Sequence, residues 1–204
     1  STGDIAVNGA LTTRGGPQGG DGGAIRLDAD GKIRLGGAID AGADDGARGR
    51  LDIATEAWSI ATDEAASLSY ALRSGTNVAI DVQGALSLDA TIDGRGDVAG
   101  ASFKARSSGD LLQNADLFTE RGNVTLESTG GRFEMVEQKE PQPAIDGSRR
   151  APLISTGDAS IDLRAKGSVV ALHLLTRGDI NLKSTNSAVY LNAALGRADD
   201  ARPR

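Results

Sequence analysis

The chain lacks cysteine and is poor in the large side chains that fill most globular cores. Its 204 residues include one Trp, one Met and one His, and aromatic residues make up 3% of the total. Without cysteine, disulfides and thiolate metal sites are excluded. A large globular enzyme core normally uses more Phe, Tyr and Trp, because those side chains bury the most area. The composition therefore favours a narrow core of Val, Ile, Leu and Ala.

Long hydrophobic runs and an excess of positive charge are also missing. No stretch approaches the ~18 apolar residues of a transmembrane helix, so we expect no membrane span. The formal net charge is -6, whereas nucleic-acid binding depends on a basic face that neutralises phosphates. We therefore expect no nucleic-acid partner.

Glycine is abundant, and many of the 28 glycines open one short motif. The motif is a glycine, often followed by Asp, Asn or Ser, and then two apolar residues separated by one other residue. It recurs at 3–7, 31–35, 75–80, 84–88, 122–126, 157–163 and 178–182. Strands this short cannot bury an apolar side alone, so the copies are expected to stack as a solenoid.

Some segments share a longer spacing, with apolar residues at offsets zero, two and six. The first two positions face one side of a strand, and the third lies beyond a short corner. These segments begin at Ile5, Ile33, Leu86 and Val189. From the intervals Ile5 to Ile25 and Ile33 to Ile53, we predict a repeat of about 20 residues and about ten coils.

One segment breaks the strand pattern and has helical spacing instead. Thr62 or Asp63 is a helix start signal, and Gly75 is a stop signal. The sequence therefore predicts a short helix near 63–73, packed on the side of the stack. A second irregular stretch, 136–152, is rich in proline and polar residues and predicts a protruding loop.

Residues 51–93 carry a likeness to a known family. The relevant parts are 58–60, the helical stretch 65–72, the following segment 73–80 with its Gly-Thr-Asn-Val, and the strand and turn at 86–92. Together they resemble the large filamentous-haemagglutinin-like exoproteins of Gram-negative bacteria. The resemblance implies an all-β fold, a right-handed parallel β-helix (solenoid), with one short side helix near 63–73.

The same resemblance implies a cellular context. Proteins of this family are exported by two-partner secretion through an outer-membrane pore protein, so the chain is expected to be secreted or held at the bacterial cell surface. Asn-Pro-Asn-type motifs of the family's secretion domain are not found, and the chain starts with Ser1 rather than Met. Residues 1–204 are therefore expected to form a single β-helix segment from the stalk of a longer repetitive chain.

Two Arg-Gly-Asp tripeptides, the sequence that integrins bind, are candidate receptor sites. Gly-Asp opens strands throughout this chain, so an Arg will sometimes precede it. The copy at 177–179 leads directly into a predicted strand and is interpreted as structural. Arg95, Gly96 and Asp97 lie in a predicted turn and form the candidate receptor tripeptide.

Metal, cofactor and catalytic sites are not predicted. The segments 19–23 and 28–31 resemble calcium loops, but the first lacks the Gly-Gly-x-Gly-x-Asp order and the second lacks the glutamate at loop position twelve. Both are better interpreted as turns. The lone His173 has no second His or Cys with which to share a metal, so a surface-facing strand position is expected.

Two functions remain in competition. The first is a structural stalk or filament segment of a secreted adhesin, without catalysis, whose partners are the export pore, a receptor on a host or neighbouring cell, and other copies joined end to end. The alternative is a β-helical protein that binds or cleaves polysaccharides, which would need clustered acids and aromatic platforms. The acids and aromatic residues are scattered along the sequence, which favours the stalk.

Overall fold

Parallel β-strands dominate the computed structural model, which describes residues 3–96, 100–137 and 151–196. The described part contains one helix, α1 (Thr62–Arg73). The strands are β1 (Ile5–Val7), β2 (Leu11–Thr12), β3 (Ala24–Ala29), β4 (Ile33–Leu35), β5 (Ile39–Asp40), β6 (Arg50–Thr55), β7 (Trp58–Ile60), β8 (Asn77–Val82), β9 (Leu86–Leu88), β10 (Ile92–Asp93), β11 (Phe103–Ser107), β12 (Leu111–Gln113), β13 (Leu117–Phe118), β14 (Val124–Ser128), β15 (Phe133–Met135), β16 (Leu153–Ser155), β17 (Ile161–Ala165), β18 (Val169–Thr176), β19 (Ile180–Ser184) and β20 (Val189–Gly196). The predicted all-β class is confirmed.

Successive repeats of the chain visit three faces in the same order. Face one is an unbroken seven-stranded sheet in the order β3-β6-β8-β11-β14-β17-β19. Face two contains β1, β4, β7, β9, β12, β15 and the first residues of β18 and β20. Face three contains β2, β5, β10, β13, β16 and the later residues of β18 and β20. All the ladders between neighbouring strands are parallel and in register.

The predicted repeat length of about 20 residues is wrong, although the motif copies stack with their apolar residues facing inward, as predicted. Ile5 and Ile25 lie on faces two and one, so the 20 residues between them span two faces rather than one repeat. Along face one, residues in register are 26, 27, 25, 21, 37 and 19 positions apart. The corners between faces differ in length while the strands keep their alignment, so no single period describes the chain.

The interior consists of the apolar residues that the motif places at alternate strand positions. Eleven of the fourteen alternate apolar residues in the seven motif copies are buried, namely Val7, Ile33, Leu35, Val78, Ile80, Leu86, Leu88, Val124, Leu126, Ile161 and Leu163. Ile5, Ile180 and Leu182 are half-buried because they belong to the first and last described repeats. Phe103 and Phe133 are also fully buried. Two of the chain's few aromatic residues are therefore core residues.

In several repeats, the Asp or Asn of the motif adds a side-chain hydrogen bond next to the strand ladder. Asp4 Oδ1 accepts the backbone N–H of Lys32 at 2.8 Å, while the Ile5 N–H donates to the carbonyl of the same Lys32 at 2.9 Å. The same side-chain bond joins consecutive repeats, at 3.0 Å, in the pairs Asn77 with Ser102, Asp110 with Arg132, and Asn123 with Ser160. These polar residues satisfy backbone donors at the corners, where the strand ladder has ended.

The glycine of the motif allows neighbouring repeats to approach closely. A Cβ on Gly122 would lie 1.6 Å from the carbonyl oxygen of Ala101 in the preceding repeat, and one on Gly157 would lie 2.1 Å from the Glu120 carbonyl oxygen. Real side chains do not tolerate such distances, so the stacking distance at these corners requires glycine. Close stacking therefore explains the glycines at these two corners.

Helix α1 occupies the position that a strand holds in other repeats of face three. It packs against β5 on one side and β10 on the other, and it buries Leu68 and Leu72. The predicted cap is wrong, because Ala61 holds the cap position and no side chain caps the helix; acids in the first turn complement the helix dipole instead. The predicted stop is confirmed. Gly75 has φ +86°, and the N–H groups of Gly75 and Thr76 bond to the carbonyls of Leu72 and Ala71, which is a Schellman motif.

The helix interrupts the sheets on two faces. A helix with its side chains is about 10 Å across, whereas strands stack about 4.8 Å apart, so α1 forces its neighbours apart. On face two, β4 pairs with β1 and β7 pairs with β9, but β4 and β7 do not pair with each other. Trp58 lies at this break and bridges it, since its Nε1 donates to the carbonyl of Ile33 at 3.0 Å. The only Trp of the chain is explained by the width of the helix.

One polar residue lies in an apolar column. Gln113 is fully buried between Leu88 and Met135, its partners in the adjacent strands. Its Nε2 donates to the Ala115 carbonyl at 3.0 Å, but its Oε1 has no hydrogen-bond partner among the described residues. A buried acceptor without a partner destabilises the folded state.

We therefore predict that Gln113→Met raises the free energy of unfolding by about 1 kcal/mol. Methionine has a similar length, and Met135 already occupies the next position of the column. Urea unfolding measures the change. The exposed Gln83→Met is the matched control and should change stability by less than about 0.5 kcal/mol. A loss of stability in Gln113→Met would show that Gln113 Oε1 accepts a hydrogen bond in the folded protein.

Candidate functional site

The candidate receptor tripeptide begins immediately after β10, at the end of a face-three strand. Arg95 and Gly96 are described, whereas Asp97 lies outside the described residues. The Arg95 guanidinium makes two bonds to the Asp93 carboxylate, from Nε at 2.8 Å and from Nη2 at 2.7 Å. It also lies over the Phe118 ring, 4.1 Å from the ring centroid. Phe118 belongs to β13, the next strand of face three.

Acidic residues around Arg95 strengthen its pairing with Asp93. The Arg95 side chain lowers the pKa of Asp93 by hydrogen bonding, and burial opposes that shift. The pKa of Arg95 is raised, first by the bond to Asp93 and also by the nearby charges of Asp116 and Glu120. The Gly96 N–H donates to Glu120 Oε2 at 3.3 Å. The turn is therefore fastened to face three through its arginine, and a receptor that binds the Nε and Nη2 edge of this guanidinium would compete with Asp93.

We predict that Arg95→Lys lowers the free energy of unfolding by roughly 0.5–1 kcal/mol, because lysine cannot form the two-pronged bond or stack on Phe118. Arg177→Lys is the matched control, since it alters the same tripeptide at an exposed single contact. Because the pKa of Asp93 is lowered in the folded state, its stabilisation is present above the ordinary aspartate pKa and is lost as the pH falls. Urea unfolding at neutral and acidic pH measures this effect. The difference in free energy of unfolding between Arg95→Lys and Arg177→Lys should be smaller at acidic pH. Equal stability of both variants at neutral pH would contradict the fastened turn.

The second tripeptide, at 177–179, leads directly into β19 as predicted. Arg177 Nη1 lies 3.4 Å from Asp158 Oδ1, and the Gly178 N–H donates to Thr176 Oγ1 at 2.8 Å. The Asp179 carbonyl accepts the Ile161 N–H at 2.9 Å. The backbone of this copy is part of the stack, which supports its structural interpretation.

The two segments that resemble calcium loops use their acids for structural contacts. Asp21 Oδ1 accepts the Ala47 N–H at 2.8 Å, and Asp28 pairs with Arg26 at 2.9 Å. In the described ranges, no group of three or more His, Cys, Asp or Glu residues could hold a metal. His173 is exposed on β18, which confirms the predicted surface-facing position.

The aromatic residues do not form a platform for sugar rings. Phe103 and Phe133 are in the core, and Trp58 and Phe118 are almost completely buried. Tyr70 and Tyr190 are 44% and 60% exposed, but they lie on α1 in face three and on β20 in face two. The structure therefore does not bring the aromatic residues together.

One carboxylate that accepts hydrogen bonds from three different side chains was not singled out by the sequence analysis. Asp89 accepts bonds from Ser87 at 2.8 Å, from Asn114 at 2.5 Å and from Ser59. Burial raises the pKa of Asp89, but the three hydrogen bonds more than offset this, so the pKa is lowered. An ionised acceptor of this kind joins three repeats and is unsuited to act as a general acid near neutral pH. The donors come from different repeats, so only the register could have revealed the cluster.

Comparison with family models, curated proteins and solved structures gives no significant match for this chain. Among the residues that the structure describes, no helix is long and apolar enough to cross a membrane.

Proposed function

We propose that the chain is a segment of a right-handed parallel β-helix and serves as a structural stalk or filament of a secreted or cell-surface adhesin. The observation that carries this proposal is the unbroken parallel register of the seven face-one strands. A stalk requires a stack that continues in one direction, with an interior that any further repeat can extend. The chain resembles filamentous-haemagglutinin-like exoproteins in its 51–93 segment, and export through an outer-membrane pore protein is part of the same proposal.

The use of the polar residues supports a role without catalysis. Gly122 and Gly157 allow close stacking, and Asp4, Asp110 and Asn123 bond to the backbone of the next repeat. Arg95 and Asp89 are held by neighbouring side chains. A polysaccharide lyase or hydrolase would need free acids and accessible aromatic residues on one face. The contacts of the described residues offer no such arrangement, so the polysaccharide-cleaving alternative is less well supported.

The last described repeat supports end-to-end association. No described strand pairs with the outer edges of β19 and β20, and Val189 and Leu191 of β20 are 42% and 46% exposed. An unpaired strand edge beside apolar side chains is a template for further strands. We propose that this surface joins further repeats, either of a longer chain or of a neighbouring copy. A receptor on a host or neighbouring cell would then bind elsewhere along the filament or at the Arg95 turn.

Sedimentation velocity over a range of concentrations tests this proposal. We expect the chain to self-associate as its concentration rises, and we expect Val189→Lys combined with Leu191→Lys to abolish the association, because lysines at a strand edge oppose pairing. Thr125→Lys, on the outer side of β14 in the middle of face one, is the control and should leave association unchanged. A wild-type chain that stays monomeric at high concentration and cleaves or tightly binds a defined polysaccharide would favour the alternative function.

A further inference from the structure

One break in the stack lies between the repeat of β4, β5 and β6 and the repeat of β7, α1 and β8. We call this break the seam: it runs between β4 and β7 on face two and between β5 and α1 on face three. On face one the same two repeats are joined by the full β6–β8 ladder, from Arg50 with Asn77 to Thr55 with Val82. Residues 3–55, the amino-terminal block, are therefore held to the rest by a continuous sheet along one face.

Side-chain hydrogen bonds cross the seam where strand ladders are missing. On face two, Trp58 Nε1 donates to the Ile33 carbonyl at 3.0 Å. On face three, the Ala41 N–H donates to the Thr76 hydroxyl at 2.8 Å. Both bonds are buried, and each joins the block to the repeat that contains α1.

An arginine adds a third connection across the seam. Arg14 Nη1 donates to the Ser74 carbonyl at the end of α1, at 3.3 Å, and to both carboxylate oxygens of Asp40 at 3.2 Å. Its other terminal nitrogen contacts Asp44. Arg14 thus binds the exposed carbonyl end of the helix to acids of the block, which favours closure through the helix dipole.

The seam is incompletely filled. A groove of about 530 Å³ opens on face two. It is lined on one side by Lys32–Arg34 and on the other by Ala57–Ser59, and Glu64 of α1 borders it. Within the block, faces two and three contain only the two-stranded pairs β1-β4 and β2-β5. Two-stranded sheets are marginally stable alone, so the block depends on the seam contacts for its order.

We propose that the seam is a built-in hinge: the amino-terminal block opens from the rest of the stack on faces two and three, turning about the β6–β8 ladder, with Trp58, Thr76 and Arg14 as latches. The opening is a local event that leaves the repeats from β9 to β17 intact, because their ladders continue on all three faces. It makes the stack flexible at one defined point. The proposal concerns the mechanics of the fold and does not depend on the stalk function.

Hydrogen exchange followed by mass spectrometry tests the hinge on the whole chain. In the wild type, amides of β1, β2, β4 and β5 should exchange faster than those of β9, β12 and β14. Trp58→Phe removes the indole donor but keeps an aromatic ring, so it should accelerate exchange in the amino-terminal block by about tenfold and leave residues 100–137 unchanged. Tyr70→Phe, an exposed aromatic change on α1, is the matched control and should alter neither region.

A second measurement needs no variant and so remains valid if Trp58→Phe fails to fold. Trp58 is the only Trp, so the fluorescence of the wild type reports on the seam directly. In a urea titration, exposure of Trp58 to acrylamide should precede the loss of the far-ultraviolet circular dichroism signal of the strands. The hinge would be overturned if Trp58 became exposed at the same urea concentration at which the circular dichroism signal is lost, and if the amino-terminal block and residues 100–137 exchanged at the same rate. Failure of the filament test above would not affect this result.

Discussion

Leu126→Asp is expected to lower the free energy of unfolding by about 3–5 kcal/mol, enough to unfold a protein of ordinary stability. Leu126 is fully buried in β14. Its register partners are Ala105 and Leu163, so an aspartate there would have apolar neighbours on both sides and no counter-charge. Urea unfolding followed by circular dichroism measures the loss.

The neighbouring residue provides the control for this experiment. Thr125 points to the outer side of the same strand, between Lys104 of β11 and Asp162 of β17, so an aspartate there has a neighbour of each charge. Thr125→Asp introduces the same side chain one position away and should change stability by less than about 0.5 kcal/mol. If both variants lost stability equally, the assignment of inner and outer sides to β14 would be wrong.

Gly122→Ala is expected to cost about 3 kcal/mol, although it adds a single methyl group. The new Cβ would collide with the backbone carbonyl of Ala101, which cannot rotate away as a side chain could. Relief requires the two repeats to separate at this corner, which would weaken the adjacent bond from the Phe103 N–H to the Asn123 carbonyl, 2.9 Å long. Thermal and urea unfolding measure the effect.

Gly9→Ala is the matched control, because a Cβ on Gly9 would meet no atom within 4 Å. Alanine restricts the unfolded chain more than glycine does, so this variant should be neutral or slightly more stable. An equal loss in both variants would mean that the glycines are needed for backbone flexibility rather than for close stacking.

The sequence motif predicted the parts of the fold that depend on local spacing. Alternation of apolar residues placed Leu88 and Leu126 in the core, and the Gly75 signal located the end of the helix. These features follow from strand and helix geometry within a few residues. The four segments with apolar offsets zero, two and six also proved equivalent, since all of them turn the corner between faces two and three.

Features that depend on distant residues were not predictable in the same way. The repeat length failed because the corners vary in length, and no local pattern marks which strands pair. The break at Trp58 arises from the width of a helix in another face. At the candidate tripeptide, Asp93 lies two residues before Arg95 and could have been suspected as its partner. Phe118 belongs to the next repeat, and only the register brings it under the guanidinium.

Residues in register are separated by unequal numbers of residues, and this has different consequences for insertions at corners and insertions within strands. Insertions and deletions at a corner leave every strand alignment unchanged, as the interval of 37 residues between Val124 and Ile161 demonstrates. A single residue added within a strand would instead turn its apolar side outward. Corners without a close glycine contact like that of Gly122 are therefore the positions where this architecture can acquire extra residues without refolding. The predicted loop of 136–152 falls in this interval, with 138–150 outside the described residues, and β15 and β16 on either side of it keep the register of their sheets.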